Sequence, residues 1–370
     1  MASDRLALLA LHFIPGIGPY LLKQLVSYCG SAENVFRTPK GKLLRIPGVG
    51  KITAQAIQKE AAHALAEKNL ERAEKEDVKI IFYFEKSFPS RLKQIPDSPT
   101  CLFVKGNVNF ENPKSIGIVG TRMATAYGKQ CIEEFIEGLI PHNPLIVSGL
   151  AYGIDIQAHK QALRCNLQTI GIMGSGMDII YPSSHAPIAK KMMDHGGLVT
   201  ENPFGTKPEA HLFPERNRII AGLSDALIVV EAAEKGGALI TADLANGYNK
   251  DVFAFPGNIG QRFSMGCNHL IKSNKAHLIT TVRDLEYIMN WDLSKKNSHP
   301  QPTIHWETFE PNEQLVLKTL MENQDTLEID VLSWKTNIPI GQLASVLLAL
   351  ECKGKVKNLP GKIFKIIPNA

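Results

Sequence analysis

At 370 residues, with 44% hydrophobic and 21% charged residues, the chain is too long for one small domain and excludes a disordered or fibrous protein. Its formal net charge of +5 permits a polyanionic partner without requiring one. No stretch approaches the roughly 20 uninterrupted apolar residues of a membrane span, Asp225 breaking the best candidate.

The N-terminus, MASDRLALLALHFIPGIG, carries Asp4 and runs into Pro15 and Gly16, a poor secretory signal. The cysteines Cys29, Cys101, Cys131, Cys165, Cys267 and Cys352 form no C-x-x-C pair, and the histidines make no H-E-x-x-H. They read as scattered reduced thiols, so a cytoplasmic protein with no metal and no cofactor is expected.

Residues 1–72 are helical in period, with apolar positions at Leu6, Leu9 and Phe13 and again at Leu21, Leu22 and Leu25. IPGIG (14–18) and IPGVG (46–50) repeat, each followed by a helical run. An apolar-Pro-Gly-apolar-Gly turn leaves backbone N–H groups free at a helix start, where a phosphate oxygen fits. Two in matching context resemble a tandem helix-hairpin-helix unit. DNA contact and a merely structural role both fit, since only Lys23, Lys42, Arg45 and Lys51 supply nearby charge.

Residues 78–290 alternate short apolar runs with amphipathic helices. KIIFYF (79–84) and TCLFVKG (100–106) come first, then SIGIVGT (115–121), PLIVSGL (144–150), QTIGIMG (168–174), LVTEN (198–202), DALIVVEA (225–232) and DVFAFPG (251–257). Continuous apolar strands between helices predict a mostly parallel sheet covered on both faces, an α/β, extended Rossmann-like domain. Ligands of such sheets sit beyond the carboxyl ends of the strands. There this sequence places Gly120, Thr121 and Arg122, then Ser148 and Gly149, then Gly174, Ser175 and Gly176, and later Lys235, Gly236 and Gly237. Small residues let backbone approach a ligand, and hydroxyls and N–H groups suit phosphate.

This is neither the dinucleotide fingerprint nor a Walker loop, because GTRMATAYG lacks G-x-G-x-x-G and no G-K-[ST] occurs. An always-charged arginine, Arg122, expected to open a helix, is instead a seat for a backbone phosphate. FPERNRIIAGLSD (213–225) adds Phe213, Arg216, Asn217 and Arg218 at a helix start. Cation plus aromatic is the chemistry of single-stranded nucleic acid. Against this, either arginine could pair with an acid such as Glu215, Glu231 or Asp225. Asp155 and His159, four apart with Ser148 near, allow a hydrolase triad, although a carboxylate in a helix's first turn more often braces the helix.

Residues 291–304, polar and Pro-containing, read as a linker. Residues 305–370 predict three helices and a two-strand wing turning at Pro360-Gly361. The third helix, GQLASVLLALECKG, offers only Gln342 and Glu351 as reading groups, which favours protein contact or packing over duplex recognition.

Together GTR (120–122), SGLAYGID (148–155), GSGMDIIYP (174–182), FPERNRIIAGLSD, GGALITA (236–242), FAFPG (253–257) and GCNHLIKSNKAHLI (266–279) resemble the DNA-processing A (DprA/Smf) family, as does FPSRLKQIPDSPTCLFVKG (88–106). The resemblance implies a non-catalytic protein that binds single-stranded DNA, dimerises through its Rossmann-like domain, and loads the strand-exchange recombinase during uptake of transforming DNA. It also implies the helix-hairpin-helix and winged-helix-like ends. Arg122 takes the place of the family's DNA-binding arginine, and Phe213, Arg216 and Arg218 take places in its second DNA-contacting element. The chain departs from the family's pattern where a lysine usually precedes FP-x-RNR: here the stretch is EAHLF, leaving Lys207 or His211 to substitute. It also reads GGALIT, with Lys235 before it, in place of the usual SG-x-LIT. The rival reading, a Rossmann-like nucleotide phosphoribohydrolase, needs a P-G-G-x-G-T loop that FPGNIGQ (255–261) matches poorly.

Overall fold

The computed structural model describes residues 2–57, 61–291, 306, 309–322, 326–359 and 362–367. They fall into two compact units divided between residues 293 and 294. The expected linker 291–304 and the Pro360-Gly361 turn lie, Trp291 apart, outside the described residues.

The first unit is built on a nine-stranded sheet. Its strands are β1 (Lys79–Phe82), β2 (Cys101–Gly106), β3 (Ser115–Val119), β4 (Leu145–Gly149), β5 (Thr169–Ile172), β6 (Gly196–Thr200), β7 (Ala226–Val229), β8 (Asp251–Ala254) and β9 (His277–Leu278). They lie in the order β1-β2-β6-β5-β4-β3-β7-β8-β9. Strands β3 to β9 pair in parallel, in registers such as Val119 opposite Val229, while at one edge β2 runs antiparallel to both β6 and β1. All eight expected strands form. The ninth is two exposed residues long, too short for any pattern.

Parallel pairing follows from burial on both faces. Ile116, Ile118, Ile146 and Ile228 pack into one apolar cluster, and Val119, Val147, Leu227 and Val229 into another. The chain leaves β3 toward β4, β5 and β6, then returns to β7 on the other side of β3. That reversal opens a crevice at the carboxyl ends of β3 and β7, where ligands of open sheets bind.

The N-terminal repeat is real in three dimensions. Gly16 and Gly48 both take φ of 83°, a left-handed turn that glycine alone adopts freely. Ile17 N–H donates to Ile14 O and Val49 N–H to Ile46 O, each at 3.1 Å, and the helices Pro19–Cys29 and Lys51–Ile57 follow. This helix-hairpin-helix region packs on the sheet domain rather than standing apart. Arg5 donates to the Ile80 carbonyl at 2.9 Å, and the His12 ring lies 3.0 Å from Thr100 Oγ1 and 2.9 Å from the Glu201 carbonyl. Lys23 donates to Ser98 O at 3.0 Å, so one of the four cations considered for DNA serves docking; Lys42, Arg45 and Lys51 remain exposed.

The second unit has helices Pro311–Met321, Ile329–Thr336 and Ile340–Cys352 and strands β10 (Thr326–Glu328), β11 (Val356–Leu359) and β12 (Ile363–Ile366) in the order β10-β12-β11. Leu317, Leu332, Leu347 and Phe364 form its core, a winged-helix arrangement.

Candidate nucleic-acid interface

A crevice of about 680 Å³ opens at the β3–β7 reversal. Gly120, Thr121, Arg122, Phe213, Arg216, Asn217, Lys235, Gly236 and Gly237 all line it. Thr121 N–H donates to Glu231 O at 2.7 Å, which ties the loop after β3 to the end of β7. The loop then projects Arg122 outward. Its guanidinium carbon stands 5.6 Å from the Phe213 ring centroid. Arg122 is exposed and has neither ion pair nor hydrogen bond among the described residues.

Arg122 does not open a helix, as the sequence reading expected. The helix Ala126–Gly138 begins later, capped by Thr125, whose hydroxyl accepts from Gly128 N–H at 3.2 Å. The helix that meets the crevice end-on is Gly237–Gly247, whose N-cap is Gly236. Its first-turn N–H groups and the exposed Lys235 before it offer a second seat for a phosphate oxygen.

The two arginines of the 213–225 segment take different places, Arg216 in the crevice lining and Arg218 outside it. In the helix Leu212–Leu223 residues two apart face different sides. Arg218 pairs with the Glu201 carboxylate and donates to Asp97 O at 2.6 Å, so it is committed to the fold and does not line the crevice. Its partner is none of the acids anticipated: Asp225 holds Arg91 at 2.7 Å, and Glu231 accepts from the Thr125 hydroxyl at 2.6 Å. Arg216 is buried, forming the crevice floor; one of its terminal nitrogens donates to the Ile172 carbonyl, while Nε has no hydrogen-bond partner among the described residues.

Below Arg122 and beside Arg216 lies Asp155, buried in the first turn of the helix Ile154–Arg164. Burial pushes its carboxyl up to about 6, and Arg216 and then Arg122 act against that rise. Burial conversely lowers the Arg216 guanidinium, with Asp155 opposing. Gly149 makes this juxtaposition possible, because a Cβ there would fall 2.4 Å from Asp155 Oδ2 and 2.5 Å from an Arg216 nitrogen.

The hydrolase triad does not assemble. Ser148 Oγ donates to Ile118 O at 2.6 Å, and the His159 ring spans Thr169 Oγ1 at 2.7 Å and Gly149 O at 2.6 Å. Burial lowers the His159 imidazole to about 4. Ser148 thus ties β4 to β3, and His159 braces its helix against β4 and β5.

Of the remaining site residues, Ser175 donates to Ile179 O at 2.5 Å and Gly176 N–H to Thr206 O at 3.0 Å, so both shape the loop after β5. Gly174 lets Phe213 settle on that loop, since a Cβ would stand 3.2 Å from its ring. Lys207 is exposed but outside the crevice lining. Sequence reasoning missed Tyr181, 47% exposed with its ring centroid 5.7 Å from that of Phe213. Its signal was an aromatic in the loop after a strand, in a segment read for Gly174, Ser175 and Gly176 and as part of the family pattern.

Fold and crevice together define an extended Rossmann-like protein with a strand-end site suited to phosphate and a stacked ring. A family model described as DNA recombination-mediator protein A matches residues 79–290, more than half of the chain. A SAM-like helix-hairpin-helix tandem matches 8–62 and a DprA winged helix domain 298–362. Protein Smf of a Synechocystis strain is 32% identical over 98% of this chain and 99% of its own, and Protein Smf of Escherichia coli is 35% identical over 75% of each. The solved DNA processing protein A of Streptococcus pneumoniae aligns with a TM-score of 0.67 at 30% identity, over 78% of this chain and 98% of that one. A Helicobacter pylori structure, titled for the single-stranded DNA binding mode of its DNA processing protein A, aligns with a TM-score of 0.53 at 28% identity, over 58% and 96%. The chain belongs to the DprA/Smf family of DNA recombination mediators.

Proposed function

We propose that the protein binds single-stranded DNA in the β3–β7 crevice and delivers it to the strand-exchange recombinase on incoming DNA during natural transformation. The carrying observation is Arg122, a cation beside Phe213 in the crevice lining with no ion pair or hydrogen bond among the described residues. A phosphate would meet Arg122 and the N-terminus of the helix Gly237–Gly247, while an unpaired base stacks on Phe213 and Tyr181. The Helicobacter pylori relative, described as binding single-stranded DNA, supports the reading. Such contacts read no base edge, so sequence matters little. The protein acts in the cytoplasm, pairs as a homodimer through its Rossmann-like domain, and carries out no catalysis. Regions 1–72 and 305–370 flank the DNA-binding region 78–290 as accessory domains.

Two measurements test this. Anisotropy with matched oligonucleotides should show single strands bound more tightly than duplex; equal affinity or preference for duplex overturns the crevice reading. Addition of the protein should speed recombinase assembly on single strands already coated with single-strand-binding protein. No acceleration, with binding intact, overturns the mediator step alone.

A further inference from the structure

The loop 256–264 after β8 carries a second cation beside an aromatic ring. The guanidinium carbon of Arg262 lies 5.4 Å from the Phe263 ring centroid. Arg262 is exposed and, among the described residues, makes neither ion pair nor hydrogen bond. Ala232 N–H donates to Phe263 O at 2.7 Å, while the neighbouring Glu231 carbonyl holds Thr121. Two consecutive residues at the end of β7 therefore anchor both the Arg122 loop and the Arg262 loop. Beside that anchor lies a second cavity, of about 660 Å³, lined by Glu231, Asn258, Arg262 and Phe263 among others.

The loop is set in place before any ligand arrives. Asn268 brackets Gly257, accepting from its N–H at 3.1 Å and donating to its carbonyl at 2.9 Å. Ser264 N–H donates to Gln261 O at 3.0 Å. Near the loop's middle Ile259 is 99% exposed, an apolar side chain with nothing to cover it. The carboxylate that lines this cavity, Glu231, is buried and committed to Thr125, accepting from its N–H at 2.9 Å and its hydroxyl at 2.6 Å, so it does not answer Arg262.

Resting on the reading of the Arg122 crevice as a single-strand site, we infer that the strand continues across the end of β7 to a second contact, where Arg262 takes a phosphate and Phe263 and Ile259 take a base. Charge complementarity and the shared anchor at Glu231–Ala232 select the same polyanion for both cavities. A cation and a ring recur in each, and that pairing tolerates any base.

The test uses the full chain with hexathymidylate, long enough for one contact, and icosathymidylate, long enough for both. Arg262→Ala should leave hexathymidylate affinity within about twofold, weaken icosathymidylate about tenfold, and lower the salt slope for the longer strand by about 0.7. Arg122→Ala should weaken both lengths. Arg262→Lys should restore the salt slope while recovering only part of the affinity. Unchanged icosathymidylate binding by Arg262→Ala, with Arg122→Ala weak on both, overturns the second contact alone. Equal loss on both lengths for Arg262→Ala also overturns it, merging the two arginines into one site. Arg122→Ala binding both lengths like wild type overturns the underlying reading instead. A change in oligomeric state on Arg262→Ala, by sedimentation, would make the loop an interface between copies and overturn the inference. Beyond the Phe263 ring Arg262 makes neither ion pair nor hydrogen bond among the described residues, so its variants should melt with wild type.

Discussion

Arg218 reaches from the helix Leu212–Leu223 to pair with Glu201 at the end of β6, and both side chains are nearly enclosed, at 12% and 13% exposed. The Glu201 backbone carbonyl meets the His12 ring, so this pair sits where the N-terminal helices dock on the sheet. Arg218→Ala should therefore act on stability before binding. It strands a largely buried carboxylate and deprives the Asp97 carbonyl of its donor, at a cost of about 3 kcal/mol. Denaturant unfolding measures it. Single-strand affinity should stay within about twofold at temperatures where the variant is folded. A variant as stable as wild type but weak in binding would return Arg218 to the DNA path.

Asp155 gives a pH signature. Its carboxyl, raised by burial to about 6, holds a proton in the folded state that the unfolded chain has already released. The stability this group contributes is full below the ordinary carboxylate range and is lost as pH rises through about 6, a difference of about 3 kcal/mol. Asp155→Asn removes the titration. The melting temperature of wild type minus that of Asp155→Asn should fall between about pH 4 and pH 7. A difference that stays flat across that range would contradict the burial argument.

The C-terminal unit should be dispensable for single-strand binding. Its third helix, Ile340–Cys352, carries no lysine or arginine and exposes Ile340 and Leu348 at 51% and 62%. The lysine that follows, Lys353, is held by Glu313 at 2.7 Å. A chain ending at 291 should bind icosathymidylate within about twofold of the full protein. Loss of most of the affinity by a truncated but folded chain would make this unit a DNA reader.

Much of this architecture was legible because it rests on burial. Strands such as SIGIV and ALIV are apolar but for Ser115 and are buried on every residue, which a sheet covered on both faces explains. The reversal of β2, antiparallel to both β6 and β1, was not legible, since an apolar run is silent about direction. Arg122 and Phe213 declared their chemistry by residue type. Arg216 and Arg218 did not declare their direction: two residues apart on a helix they cannot both face one groove, and the acids beside them are distant in sequence, Asp155 in the first turn of another helix and Glu201 just after β6. Ser148, Gly149 and Gly174 sit at strand ends for packing as much as for any ligand, a distinction that needs the neighbouring side chains.

The central claim rests on Arg122 and is tested by Arg122→Ala. No apolar volume is removed and no hydrogen bond is broken, so the variant should melt at the wild-type temperature by circular dichroism. Its affinity for oligothymidylate should fall about tenfold or more, and the slope of log affinity against log salt should drop by about 0.7, one phosphate contact fewer. Arg122→Lys should recover part of the affinity, keeping the charge without the planar fork. An Arg122→Ala protein that melts normally and binds single strands as tightly as wild type, with an unchanged salt slope, would contradict the account.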